Sequence, residues 1–349
     1  MSDEPRGRAK RAGVLTVLGA VGLVAAGIAA ERVFVRRDRR RPDPFKDEPY
    51  GSIRGKPIGP VETSDGTLIH VEEAGSGPVT LVLSHGFSLN SALWHHQIKG
   101  LADDARLVML DHRGHGRSAR AATGDWGLDA LAQDIDAVVR ATTKDEPVVL
   151  VGHSMGGMAV LHYCEAFPEM IGTRVRGLVL ADTTSADVMS GMMPGVARRI
   201  EALMQGLQEA AMRALQGRAD SVDRFRMNGN NIGYIGARFM GFGPKPSPTQ
   251  VMWVDRMLAE TPSDVWVSLI PAMYAFDLIH ALPSITVPVL IIVGEHDRLT
   301  PPHAAERMAA ALPDSELVVL EGAGHTSMAE RPDEFNEHLR AFIARVQRS

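Results

Sequence analysis

The feature that most narrows the fold is a series of short apolar runs spaced along the chain and separated by longer periodic stretches. The runs are "TLIHVEE", "VTLVLSHG", "ARLVMLDHRG", "PVVLVGHS", "VRGLVLAD", "VPVLIIVGEHD" and "ELVVLEGAGH". Several are apolar at consecutive positions rather than alternating, as strands are when helices cover both faces of a mostly parallel sheet. Between them, Leu128 to Val139, Met155 to Phe167, Ala304 to Leu312 and Asp333 to Val346 read as helices. In the last, Phe335, Leu339, Phe342 and Val346 fall near one face, which can close against the sheet. An α/β core is therefore expected over 61–182 and 286–349.

Residues 183–285 break this rhythm. They contain no comparable strand but include the helical stretches "PGVARRIEALMQGLQEAAMRALQ" and "PTQVMWVDRMLAETPSDVWVSLIPAMYAF". A helical insertion of roughly a hundred residues is too long for a simple crossover and predicts a cap over the core. Its Met189, Met192, Met193, Met204, Met212, Met240, Met252 and Met257, with Phe225, Phe239, Trp253, Trp266, Tyr274 and Phe276, either pack the cap or line an adaptable apolar pocket.

Charge divides the chain unevenly. Residues 1–46 hold eleven Lys and Arg against five Asp and Glu, a balance of +6. The whole chain carries −5, which leaves −11 on the rest. An acidic body is poorly suited to tracking phosphate backbones, so no nucleic-acid partner is expected. After a basic tail over 1–11, residues 12–30, "AGVLTVLGAVGLVAAGIAA", carry no charge and would span about 28 Å as a helix, near the thickness of bilayer hydrocarbon. Membrane association through a transmembrane anchor here, and hence a membrane localisation of open facing, is the expectation; a signal peptide cleaved on export is the alternative. Residues 31–60, basic and then Pro- and Gly-containing, read as a linker and the loop leading into the core.

The chemistry centres on Gly152-His153-Ser154-Met155-Gly156. An apolar strand, a serine enclosed by glycines and a helix form a tight turn that lifts a hydroxyl above the sheet. A serine hydroxyl needs a base, and the base needs a group on its other ring nitrogen. His325, after the last apolar run, is the expected base, and Asp297, at the end of the preceding run, the expected acid. Glu295 and Asp182 are competing strand-end carboxylates. His153 is expected to pack or to make a supporting contact, and His85, His112, His115, His296 and His303 to be structural or at a pocket rim. Backbone N–H groups of Phe87 and Met155 are placed to receive a developing oxyanion. The dispersed histidines predict no metal site, and the chemistry requires no cofactor. Cys164 is the single cysteine, expected to be buried and inert.

In order, "SHGF", "DHRGHGRS", "GHSMGG", "GEHDRLTPP" and "GAGH" resemble the alpha/beta-hydrolase superfamily from about Val61 through Val346. The resemblance implies an eight-stranded, mostly parallel sheet with an antiparallel second strand, an active site under a cap, and the same Ser154, Asp297, His325, Phe87 and Met155. Arg113 then organises the surroundings rather than reacting. "DHRGHGRS" with "GHSMGG" resembles monoacylglycerol lipases and lysophospholipases. The expected function is a serine carboxylesterase or lipase acting on a medium-chain or lipid-like ester. The alternatives are amide, lactone, peroxy-acid or carbon–carbon bond chemistry on the same serine, or a noncatalytic binding role. Oligomeric state is open.

Overall fold

The structure is a computed structural model that describes residues 31–348 except 145, 189–209, 211–220, 222 and 225–230. Eight strands form one sheet in the order β1-β2-β4-β3-β5-β6-β7-β8. They are β1 (Lys56–Glu62), β2 (Leu68–Ala74), β3 (Thr80–Ser84), β4 (Arg106–Leu110), β5 (Val148–His153), β6 (Val175–Ala181), β7 (Val289–Gly294) and β8 (Ser315–Leu320). β2 runs antiparallel to both β1 and β4, and every pair from β4 across to β8 is parallel. The expected fold class, with its antiparallel second strand, is the one found.

The central strands are buried along their length because each face has its own core. In β5, Val148 and Leu150 join the side covered by the helices Leu128–Thr142 and Met155–Ala166. Val149 and Val151 join the side covered by His95–Leu101 and Pro332–Arg348. This two-sided burial is why the runs are continuously apolar. The expected face of the last helix is present, with Phe335, Leu339, Phe342 and Val346 all buried.

β1 lies partly within the segment expected as linker and loop, where residues 31–38 are also helical. Its sequence, KPIGPVE, holds two prolines and a glycine and is almost wholly exposed. Proline is tolerated there because β1 is an edge strand with only β2 as neighbour.

Between β6 and β7 the chain leaves the sheet for the helical cap, which includes the helices Pro248–Glu260 and Ser263–Tyr274. The stretch 194–216, expected to be helical, lies almost entirely outside the described residues, as do Met189, Met192, Met193, Met204, Met212 and Phe225. Met257, Trp253 and Phe276 pack in the core. Met252 and Phe239 are exposed, and Met240, Trp266 and Tyr274 line a cavity.

The N-terminal expectation is corrected. Residues 12–30 lie outside the described residues, and among the described residues no helix is long and apolar enough to cross a membrane. The transmembrane anchor, and the membrane association and localisation drawn from it, therefore have no structural element to rest on.

Candidate active site

Ser154 stands between the end of β5 and the helix Met155–Ala166, with φ 53° and ψ −121°. A side-chain-bearing residue pays about 1–3 kcal/mol for such a conformation, so the surroundings must hold it. They do so at close range: Ser154 N donates to Ala181 O at 3.0 Å, and Thr183 Oγ1 donates to Ser154 O at 2.7 Å. Gly152 is required because a Cβ there would come within 2.5 Å of Gly157 Cα, where strand and helix cross.

His325 and Asp297 reach this serine from the ends of β8 and β7. His325 Nδ1 donates to Asp297 Oδ2 at 2.8 Å, which leaves Nε2 free to accept from Ser154 Oγ at 2.9 Å. Burial opposes the charged imidazole, but the Asp297 charge, its hydrogen bond and the Asp182 charge outweigh it, so the His325 pKa lies above its ordinary value. Asp297 is held in turn by Leu299 N and Thr300 N on Oδ1 and by Thr300 Oγ1 on Oδ2.

The competing carboxylates do other work. Glu295 is half exposed and accepts from Gly322 N at 2.9 Å. Asp182 is fully buried and accepts from Gly294 N, Ser327 N and Ser327 Oγ, bracing β7 against the turn that follows His325. Burial, then the neighbouring Asp297 charge, push the Asp182 pKa well up. A second serine–histidine pair, Ser84 with His112 at 2.8 Å, is buried and lines no part of the cavity that Ser154 faces.

The loop carrying Phe87 is fixed by histidines. His85 Nδ1 donates to Gly86 O at 2.8 Å and its Nε2 accepts from His112 N at 3.0 Å. His115 Nδ1 faces Arg113 O at 3.0 Å, so its Nε2 accepts from Ser88 N at 3.1 Å. These roles need neutral rings, and burial lowers both pKa values, that of His115 to about 3. His153 Nε2 donates to His325 O at 2.8 Å, the supporting contact expected of it. Arg113 is buried and paired with Asp134 and Asp65. Among the described residues, neither Phe87 N nor Met155 N has a hydrogen-bond acceptor.

Two features escaped sequence reasoning. Thr300 bonds the acid and lies 3.3 Å from His325 Nδ1. Glu330, buried, accepts from Gly324 N at 2.6 Å and Gly243 N at 3.0 Å, tying the His325 loop to the cap. Their only local signal is position: Thr300 is three residues past the acid, and Glu330 five past the histidine.

Ser154 and His325 open into a cavity of about 620 Å³. Its wall is largely apolar, with Phe87, Leu89, Met158, Leu258, Trp266 and Ile270 among its residues. His95 and His96 come together with Glu48 away from this cavity. Glu48 already bonds His95 and Lys99 there, and Tyr50 bonds His96.

A serine–histidine–carboxylate chain on this sheet, opening under a cap, defines a serine hydrolase. The chain belongs to the alpha/beta hydrolase fold family, whose pattern matches residues 79–332. It is an enzyme that uses serine on an ester-, amide- or lactone-type bond. It is 31% identical over 269 residues to the RutD protein of Agrobacterium fabrum, which carries the provisional name of a carbamate hydrolase, covering 76% of this chain and 92% of that one. An esterase from Exiguobacterium antarcticum shares 25% identity with a TM-score of 0.64, covering 82% of this chain and 99% of that one. Est816, described as an N-acyl homoserine lactone degrading enzyme, shares 28% identity with a TM-score of 0.62, covering 81% and 99%.

Proposed function

We propose that this protein is a serine carboxylesterase or lipase that hydrolyses a medium-chain or lipid-like ester through an acyl-enzyme. The observation that carries the reading is the relay from Ser154 Oγ to His325 to Asp297, with its serine end in a large apolar cavity. His325 takes the Ser154 proton as the hydroxyl oxygen attacks the ester carbonyl, and Asp297 keeps the imidazole in the tautomer that can receive it. The tetrahedral oxyanion accepts from Phe87 N and Met155 N, two donors that otherwise lack acceptors. His325 then gives the proton to the departing alcohol. In the second half it draws a proton from water as the water oxygen attacks the acyl-serine carbonyl, then returns that proton to Ser154 Oγ as the C–Oγ bond breaks and the acid leaves.

The apolar wall supports a substrate with an extended hydrocarbon part, as in the esters taken by the monoacylglycerol lipases and lysophospholipases that its motifs resemble. Hydrolysis of p-nitrophenyl esters of increasing acyl length, alongside monoacylglycerols and with Ser154→Ala as control, tests this. Activity that falls steeply beyond acetate overturns the lipid-like substrate. Lactone hydrolysis is the second reading, supported by the likeness to Est816. Turnover of N-acyl homoserine lactones without turnover of linear esters favours it.

A further inference from the structure

Most polar groups on the cavity wall are engaged with the protein. His153 donates to His325 O, Thr300 to Asp297 and Thr326 Oγ1 to Gly241 O, while Ser154 and His325 bond each other. Asp255 differs. It lies on the cap helix Pro248–Glu260, whose Val254, Leu258 and Ala259 line the cavity with it. Among the described residues it is the one carboxylate lining that cavity, and it makes no hydrogen bond or ion pair there. Burial raises its pKa, and the Arg39 charge, which forms no ion pair with it, is the one influence acting the other way.

The carboxylate is also given room. Gly233 lines the same cavity, and a Cβ on it would collide with Asp255 Oδ1. Asp255 is half-buried on this apolar wall, so its carboxylate is only partly compensated by solvent, and a ligand that supplies a donor improves on that. A ligand presenting a second carboxylate would instead add repulsion.

We propose that Asp255 is a specificity-determining residue that selects substrates carrying a hydrogen-bond donor, foremost an amine cation, and rejects those carrying a free carboxylate there. The substrate is then an apolar ester with a polar, cationic or hydroxyl-bearing end, rather than a plain hydrocarbon ester or a half-ester of a diacid. This rests on the cavity being the substrate site, as in the proposed function, but not on Ser154 being the nucleophile.

Binding of hexylamine, hexanol and hexanoate to the full chain tests it without requiring turnover. The expected order is amine, then alcohol, then acid, with amine over acid by about tenfold, as attraction on one side and repulsion on the other would give. Asp255→Asn, nearly isosteric, is expected to bring amine and acid close together. Asp255→Leu is expected also to remove the preference for alcohol over acid. Equal binding of amine and acid by the unsubstituted protein overturns the inference, as does a preference that survives both substitutions. Loss of ester hydrolysis in all forms, with the amine preference intact, would instead overturn the esterase reading and leave this one standing.

Discussion

Asp297 shows how one side chain sets the chemistry of another. Its Oδ1 is committed to Leu299 N and Thr300 N, so only Oδ2 faces His325. In Asp297→Asn the same backbone donors hold the amide oxygen, which turns the NH2 toward His325 Nδ1. The imidazole must then carry its proton on Nε2 and cannot accept from Ser154. A loss of about 10⁴ in kcat with the fold retained is expected, by analogy with the general effect of a wrong tautomer. The pH profile gives a separate check. Asp297 helps to raise the His325 pKa, and the base works only when deprotonated, so the acid limb of kcat/KM should lie above the ordinary histidine value of 6.5. In the residual activity of Asp297→Asn that limb should move to lower pH. An unmoved limb would show that another group governs it.

Among elements, the contact that joins cap to core near the base runs through Glu330. Its carboxylate receives Gly324 N, beside His325, and Gly243 N, from the cap. Thr326 N and Oγ1 both donate to Gly241 O in parallel. Burial raises the Glu330 pKa from its ordinary 4.5 to about 7. A raised folded-state pKa contributes stability that is fully present below the unfolded value and is lost as pH climbs through the folded one. The loss should therefore fall between about 4.5 and about 7 and amount to on the order of 3 kcal/mol. Melting temperatures of the unsubstituted protein and Glu330→Gln, measured across that window, check it. The unsubstituted protein should lose stability relative to the variant as pH rises. Parallel curves would mean that this carboxylate does not titrate there.

For the whole molecule, the cavity beneath the cap sets what the reaction can take. A volume of about 620 Å³ with a mainly apolar wall can accept several methylenes beyond an acetyl group. Each methylene buried in the transition state contributes about 0.8 kcal/mol, so kcat/KM should rise by up to about fourfold per carbon until the cavity fills. A flat chain-length series would mean that the acyl part does not enter it.

Read by itself, the sequence determined the sheet and pointed to Ser154 and His325, because continuous apolar runs and glycine-bounded strand ends are local signals of a two-sided sheet and its turns. It did not reveal β1, whose prolines and exposure read as loop until an edge position accounts for them. Nor did it choose among Asp297, Glu295 and Asp182. That choice belongs to the tertiary structure, which puts Asp297 on the His325 ring and turns Asp182 toward Gly294 and Ser327. The same holds for Asp255, which reads as an ordinary helix-surface aspartate until the cap folds over the core. Hydrophobic periodicity describes neighbours along the chain. His325 and Ser154 are separated by 171 residues, and their meeting is decided only when β5 and β8 join one sheet with β6 and β7 between them.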